Sequence, residues 1–92
     1  MKIVWTELAL GHLHSTYDYI AGDNALAAES TVEKIINTTE HLSRHPRLGH
    51  AGRLENTREL SVPGLPYIVA YRLQSNQLEI LAVFHAARKW AE

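Results

Sequence analysis

The spacing of the apolar residues changes once along this sequence, and the change limits the folds that the chain can adopt. Between residues 7 and 42, apolar side chains recur three or four positions apart, which lines them along one side of a helix. After residue 57 they form short runs rich in β-branched and aromatic residues, a composition that favours strands. Since the helical part precedes these strands and does not alternate with them, the order predicts an α+β fold.

Two consecutive helices are predicted in the first half of the chain. Thr6 can cap the first helix with its hydroxyl, and Gly22 ends it. Asp23 or Asn24 can cap the second helix, which ends before Pro46 because a proline disfavours helical geometry in the preceding residue. Their apolar stripes are Ala9, Leu10, Leu13, Tyr17 and Ile20 in the first helix, and Ala25, Ala28, Val32, Ile35 or Ile36, Thr39 and Leu42 in the second. The tight turn between them predicts an antiparallel helical hairpin.

Four segments are predicted as strands, at residues 2–5, 57–62, 67–73 and 78–85. Residues 47–56 are predicted as a loop or an irregular strand, and turns are predicted at residues 63–66 and 75–76. A short helical turn is predicted over residues 86–92. The last strand has apolar residues on both faces, which predicts an interior position in the sheet. We therefore expect one domain over residues 1–92, with an N-terminal strand and a helical hairpin packed on one face of a mainly antiparallel sheet.

The composition excludes several classes of site. The chain has no cysteine, so it forms neither a disulfide nor a thiolate metal site. Its glycines do not make a phosphate-binding loop, and no cofactor is expected. No apolar run approaches the roughly 20 residues that span a bilayer, and Met1–Thr6 lacks the sections of a signal peptide. We therefore expect a cytoplasmic protein with no membrane partner.

The histidines of the chain raise the question of a metal site. His41 and His45 have the spacing that two ligands on a helix can use, but His45 precedes Pro46 and is predicted to lie outside the helix. His12 and His14 are two positions apart and point to different sides of a helix. Because no acidic residue supplies an obvious third ligand, no metal is expected, and surface histidines are the simpler interpretation.

Charge is distributed unevenly, although the formal net charge of the whole chain is only −1. Residues 1–43 hold two basic and six acidic residues, a balance of −4, and residues 44–92 hold seven basic and four acidic residues, a balance of +3. The low total charge argues against a simple nucleic-acid binder, whereas the basic second half can attract an acidic partner or a polyanion. The alternative is a solvated surface with charges scattered by chance.

Four arginines of the second half are the main candidates for a binding surface, and they are Arg53, Arg58, Arg72 and Arg88. The strands are expected to bring them together, and converging guanidinium groups suit phosphate or carboxylate recognition. Alternatively each pairs with a nearby acid, for instance Arg58 with Glu79 across the sheet. His85, Arg88 and Trp90 form a second candidate surface, because Arg and Trp near a terminus are typical of contact sites. Otherwise Trp90 packs on the core and His85 only ends a strand.

An ordered series of short segments resembles a known family. The series covers nearly the whole chain with the expected spacing, and no single segment of it is specific. Its members are Trp5-Thr6, residues 18–21, Ala27-Ala28, residues 42–46 with Gly49, residues 57–60, residues 66–69, Tyr71-Arg72, His85, Ala87-Arg88 and Trp90. Together they resemble the ParE branch of the RelE/ParE superfamily of bacterial toxins. The resemblance implies a RelE/ParE-like fold, which agrees with the predicted elements.

The resemblance also implies a toxin of a type II toxin–antitoxin system. RelE-type members are ribosome-dependent endoribonucleases that cleave mRNA, whereas ParE-type members poison DNA gyrase and are not nucleases. RelE-like nucleases use lysines and arginines of the middle strands and a Tyr or His-Tyr near the C-terminus. This chain has Ile68 where such nucleases tend to place an arginine, no lysine between Lys34 and Lys89, and no tyrosine beside His85. These departures favour gyrase inhibition, and no catalytic residue is assigned.

Two alternatives stay open from the sequence. An mRNA endoribonuclease acting on the ribosome would use Arg58, Arg72 and His85, and a non-toxic interaction module would use none of them catalytically. Either toxin would have a cognate antitoxin, and such antitoxins usually present an amphipathic helix to a groove of the toxin. We expect a dock between the helical hairpin and the sheet, and acidic antitoxin residues near Arg53 and Arg58. The candidate contacts to antitoxin or target are the four arginines, His85 and Trp90.

Overall fold

The computed structural model describes residues 1–88, which form two helices and a five-stranded sheet. In chain order the elements are β1 (Lys2–Trp5), α1 (Glu7–Ala21), α2 (Ala25–Arg44), β2 (His50–Ala51), β3 (Arg58–Ser61), β4 (Tyr67–Gln74) and β5 (Gln77–His85). The strand order is β1-β5-β4-β3-β2, with β1 parallel to β5 and every other neighbouring pair antiparallel. The predicted α+β class, the helical hairpin and the interior position of the last strand are confirmed.

Capping side chains set the starts of both helices. The Thr6 hydroxyl accepts a hydrogen bond from the Ala9 amide at 3.2 Å and donates one to the Ile80 carbonyl at 2.8 Å. It therefore caps α1 and also ties the start of the helix to β5. Asn24 caps α2 by accepting a hydrogen bond from the Ala27 amide at 3.1 Å. Of the two residues that can cap α2, the asparagine does so.

The helical hairpin packs on one face of the sheet and encloses the main core. Its buried side chains come from both helices and from the strands, and they are Ala9, Ile35, Leu42, Val62, Val69, Tyr71, Leu78, Ile80 and Val83. Neighbouring residues of a strand point to opposite faces. Ala70 and Ala82 accordingly form a smaller cluster on the other face, with Phe84 and with Ile68 packed against it. The sheet therefore has a helix-covered face and an opposite face with a small apolar cluster.

Threonines fill part of the helix surface that the apolar spacing assigns to aliphatic residues. Leu10, expected in the buried stripe of α1, is 42% exposed, and Ala25 of α2 is also exposed. The buried helix positions include Thr16, Thr31, Thr38 and Thr39. The Thr38 hydroxyl donates to the Lys34 carbonyl at 2.8 Å, so its polar group needs no partner outside the helix. A count of apolar residues misses Thr16, Thr31 and Thr38, because a threonine can satisfy its hydroxyl locally. Thr39 belongs to the predicted stripe of α2 and is buried as expected.

The segment predicted as a loop or an irregular strand contains a short strand. Within residues 47–56, the two-residue strand β2 pairs with β3, and Asn56 adopts a φ of 63°. Ser75 and Asn76 have φ values of 52° and 60° and close the β4–β5 hairpin as predicted. A turn follows His85, and the rest of the helical turn predicted for residues 86–92 lies outside the described residues. Neither helix within residues 1–88 is apolar enough over a sufficient length to cross a membrane.

Candidate functional site

One tyrosine fixes the loop between α2 and β3 to the sheet. Tyr71 is fully buried, and its hydroxyl donates to the Pro46 carbonyl at 2.8 Å and accepts from the Gly49 amide at 2.9 Å. Burial raises the pKa of the Tyr71 phenol, so the donating form persists at neutral pH. A Cβ at position 49 would lie 2.6 Å from that hydroxyl, which restricts the position to glycine. These contacts hold in place the loop that carries Arg47.

Three arginines surround a surface cavity of about 630 Å³, which we call the arginine pocket. They are Arg47 from the loop after α2, Arg58 from β3 and Arg72 from β4. The other residues lining the pocket are Ala51, Asn56, Thr57, Leu73 and Gln74, so none of the described lining residues is acidic. Guanidinium groups from three separate segments around a concave surface can recognise an anionic group.

Internal contacts orient two of these arginines. One nitrogen of Arg58 donates to the Gly49 carbonyl at 2.7 Å and to the Arg47 carbonyl at 3.4 Å. Arg72 forms an ion pair with Glu79, its direct neighbour across the β4–β5 ladder. The pairing of Arg58 with Glu79 considered from the sequence is therefore wrong. The carboxylate lies two strands away from β3 and is held by the arginine beside it.

Arg53 lies at a different place from the arginine pocket. Its Nε is 3.4 Å from the Glu59 carboxylate, which is 3% exposed, and its guanidinium lies 4.7 Å from the centre of the Phe84 ring. It also donates to the Arg88 carbonyl at 3.1 Å. Arg53 thus neutralises a buried acid and joins the loop before β3 to the chain after β5. The four arginines singled out from the sequence therefore form two separate pairs, with Arg58 and Arg72 at the arginine pocket and Arg53 beside Arg88.

His85 and Arg88 line a second cavity of about 740 Å³, between α1 and the ends of β4 and β5, which we call the α1 groove. The His85 ring meets the Tyr67 ring edge-on with centroids 5.6 Å apart, and its Nδ1 accepts from the Ala87 amide at 3.1 Å. The structure therefore brings two members of the second candidate surface into one groove. Trp90, its third member, lies outside the described residues.

A histidine of α1 also lines this groove. The Nδ1 atom of His12 accepts a hydrogen bond from the Val83 amide at 3.2 Å, and burial lowers the pKa of the imidazole. The neutral ring is the form that can accept from an amide, so the bond and the burial favour the same state. His12 thereby links α1 to β5 beside a β-bulge that shifts the register near Ala70.

Arg72 and His85 lie on opposite faces of the sheet. Arg72 pairs with Glu79 across the ladder, whereas His85 pairs with Tyr67, five positions earlier along β4. Five strand residues span roughly 17 Å. Tyr67 packs on the helix-covered core, while Arg72 follows Tyr71 of that core and so points to the other face. Arg72 and His85 therefore do not point into one site.

Several residues that build these sites carry weak signals in the sequence. Glu59 lies on the side of β3 away from the helices, where the alternation of the strand predicts an exposed polar residue, so a pattern of apolar residues does not reveal that it is buried. Arg47 lies in a predicted loop, where only its proximity to Pro46 and Gly49 hints at a fixed position. Tyr71 belongs to the Tyr-Arg segment of the family resemblance, but its hydrogen bonds to the loop depend on the fold.

Residues 1–88 contain no group of three or more ligating side chains that could hold a metal ion. The rings of His41 and His45 are 4.8 Å apart at the end of α2, where His45 is the C-cap. They form a contact between two exposed imidazoles, with no third histidine or acid close enough, within this part of the chain, to complete a set of ligands.

Comparison with known sequences identifies relatives over the whole chain. Residues 3–90 match the sequence profile of the ParE toxin of the type II toxin–antitoxin system parDE. The chain is also 38% identical over 91 residues to the candidate toxin Y4kP of Sinorhizobium fredii. That alignment covers 99% of this chain and 94% of Y4kP.

Solved structures share the fold. A chain of the chromosomal ParDE system from P. aeruginosa matches with a TM-score of 0.82 at 22% identity, covering 92% of this chain and 95% of that chain. The YoeB/ParE toxin from Agrobacterium tumefaciens matches with a TM-score of 0.63 at 20% identity, covering 92% of this chain and 98% of that chain. A chain of the intact E. coli RelBE toxin–antitoxin complex matches with a TM-score of 0.61 at 13% identity, covering 95% of this chain and 98% of that chain. The RelE/ParE-like fold implied by the resemblance is confirmed. With the profile match, the chain belongs to the ParE toxin family of type II toxin–antitoxin systems.

Proposed function

We propose that this toxin arrests growth by inhibiting DNA gyrase, and that a cognate antitoxin neutralises it in the cytoplasm. In this proposal residues 1–92 act as one toxin domain. Membership of the ParE family supports the target, because ParE-type members of the superfamily poison gyrase. The separation of Arg72 from His85 on opposite faces of the sheet is the observation that carries the proposal. A nuclease built on Arg58, Arg72 and His85 would need these residues at one site, so the placement of Arg72 and His85 on opposite faces supports the gyrase proposal.

The surface around Ile68, on the face opposite to the helices, offers little of the chemistry that a nuclease needs. RNA cleavage needs a base near the 2′-hydroxyl and cations for the scissile phosphate. Around Ile68, where RelE-like nucleases tend to place an arginine, the neighbours are Ala70, Ala82 and Phe84. Arg53, the cation nearest to this cluster, is bound to the buried carboxylate of Glu59. An apolar surface with an internally paired cation supports a role in binding a protein better than a role in catalysis.

An antitoxin partner follows from the family and from the relatives. One similar structure is described as a ParDE toxin–antitoxin system, and another as the intact RelBE toxin–antitoxin complex. The structure offers the arginine pocket and the α1 groove as contact surfaces. Arg58 and Arg72 are the proposed contacts in the first, and His85 with Arg88 in the second. Trp90 stays a proposed contact on the ground of the sequence alone. Arg53 is the weakest of the proposed contacts, since its charge is already matched by Glu59.

A paired assay of the purified chain tests the target. One arm measures supercoiling and cleavage-complex formation by DNA gyrase, and the other follows mRNA during translation by purified ribosomes. We expect trapped gyrase–DNA breaks and intact mRNA. Cuts in mRNA with unaffected gyrase would establish the endoribonuclease alternative and make Arg58, Arg72 and His85 the residues to mutate first. No effect in either arm, together with normal growth on expression without antitoxin, would support a non-toxic interaction module.

A further inference from the structure

We propose that the arginine pocket binds a carboxylate side chain of the antitoxin. The inference rests on the proposed function, since it takes the antitoxin as the partner. It adds the chemical group that the pocket binds and adds Arg47 to the residues that bind it. The pocket is the surface around Arg47, Arg58 and Arg72. A guanidinium group can bind a carboxylate through two parallel N–H donors, which gives both affinity and orientation.

The charges of the pocket are only partly matched inside the protein. Within residues 1–88, neither Arg47 nor Arg58 has a carboxylate within ion-pair distance. Arg58 is held by backbone carbonyls, which fix one of its nitrogens and leave its charge without an opposite partner. Arg72 is paired with Glu79, but its side chain is still 45% exposed. The pocket thus combines three cations with one carboxylate, and that carboxylate belongs to a residue beside the pocket and not among those lining it.

The charge of the rest of the protein favours an acidic protein segment over a nucleic acid. Nucleic-acid binding gains its affinity from many phosphate contacts along an extended basic surface. Residues 1–43 carry a balance of −4, and the exposed surface of α2 includes Glu29, Glu33 and Glu40. An extended polyanion would face acidic as well as basic residues on this protein, whereas one acidic side chain needs only the pocket. A local cationic pocket on a protein of net charge −1 therefore fits a carboxylate.

Replacing Glu79 should strengthen binding of a carboxylate, whereas replacing a pocket arginine should weaken it. Its carboxylate pairs with Arg72 and so competes with any anion that approaches the pocket. Glu79→Gln keeps the shape of the side chain and removes this competition. An incoming carboxylate should bind this variant more tightly than it binds the wild-type chain, whereas loss of a pocket arginine should weaken binding.

The experiment measures the dissociation constant of the purified toxin for its immobilised cognate antitoxin, at low and high salt. The variants are Arg47→Gln, Arg72→Gln, the double variant and Glu79→Gln. Arg44→Gln is the matched control, because Arg44 is an exposed arginine at the end of α2 outside the pocket. Arg58 is left unchanged, because it supports the loop. A labelled 20-base-pair DNA duplex is the second probe.

We expect the double variant to bind the antitoxin about 10- to 100-fold more weakly, Glu79→Gln to bind it about two- to fivefold more tightly, and the control to bind as wild type. The wild-type affinity should also fall with salt more steeply than that of the double variant. Equal antitoxin binding by wild type and the double variant would overturn the proposal, as would DNA binding lost in the double variant with antitoxin binding intact. A wild-type chain that binds no antitoxin would instead overturn the proposed function itself.

Discussion

Arg53 contacts the buried carboxylate of Glu59 with both its backbone and its side chain. The Arg53 amide donates to Oε2 of Glu59 at 3.0 Å, and the guanidinium Nε lies 3.4 Å from Oε1. The same guanidinium lies over the ring of Phe84. One residue of the loop before β3 therefore both neutralises an acid in the sheet and covers the apolar cluster on the face away from the helices.

Removing that guanidinium should destabilise the fold. We expect Arg53→Met to lower the free energy of unfolding by about 2 to 3 kcal/mol, because it leaves Glu59 buried without a cation. The double variant Arg53→Met/Glu59→Met should be more stable than the single variant, since no unpaired charge is then buried. Equilibrium unfolding in urea at pH 7 measures both values. If the double variant is the less stable of the two, burial of the charge is not the cause.

The Tyr71 hydroxyl should contribute to stability in a pH-dependent way. Tyr71→Phe removes the hydrogen bonds to Pro46 and Gly49 and should cost about 1 to 3 kcal/mol at pH 7. Burial raises the pKa of this phenol, so above pH about 10 the unfolded chain releases its proton first. The stability of the wild type should therefore decline as pH rises past that value. Urea unfolding between pH 8 and pH 11 should show a shallower decline for Tyr71→Phe.

His12 should make the protein sensitive to mild acid. Burial lowers the pKa of His12 below its unfolded value of about 6.5. Between the folded and unfolded pKa values the unfolded chain binds more protons, so stability is fully present above pH about 6.5 and is lost as pH falls through the folded pKa. Thermal unfolding from pH 7.5 to pH 4.5 measures this.

An asparagine at this position is the matched control for His12. His12→Asn keeps an acceptor for the Val83 amide but does not titrate, so its stability should fall less over the same pH range. The difference between the two proteins isolates the imidazole from the acidic residues, which both share. If the two curves run parallel between pH 6.5 and pH 4.5, the imidazole does not control the acid response.

Replacing either of two glycines by alanine should change the stability of the fold, in opposite directions at the two positions. At Gly49 an added Cβ would lie 2.6 Å from the Tyr71 hydroxyl and 2.9 Å from the Glu59 carbonyl, so Gly49→Ala should destabilise the chain by about 1 to 3 kcal/mol. At Gly11, within α1, an added Cβ meets nothing within 4 Å. Gly11→Ala should stabilise by about 0.5 to 1 kcal/mol, because alanine favours the helix. Unfolding midpoints of both variants test the pair; a destabilised Gly11→Ala would contradict the open space beside α1.

The helices, strands and turns could be predicted from the sequence because local interactions determine them. The caps at Thr6 and Asn24, the turn at residues 75–76 and the change of apolar spacing each depend on neighbours in the chain. The buried positions of the helices were harder to predict from the sequence. Leu10 and Thr38 exchange the roles that hydropathy assigns, because the angle at which a helix lies on the sheet is set by tertiary packing.

The candidate sites could be predicted from the sequence only in part, because they depend on the register of the strands. The sequence identifies Arg53, Arg58 and Arg72 as candidates, but it does not separate the first, bound to Glu59, from the other two. That separation follows from which side chains share a face and from a loop that Tyr71 holds. Glu79 illustrates the same limit, since its partner among several arginines is decided by direct pairing across two strands.

The parallel pairing of β1 with β5 joins segments close to the two ends of the described chain. Ile3 lies opposite Leu78, and the Thr6 hydroxyl is hydrogen-bonded to the Ile80 carbonyl. These contacts are the most distant in sequence, and such pairings form slowly because a long loop must close first. During synthesis, β1 emerges long before its partner exists. A toxin built this way cannot complete its sheet until β5 has been made, so interrupted translation yields fragments that lack the finished surface.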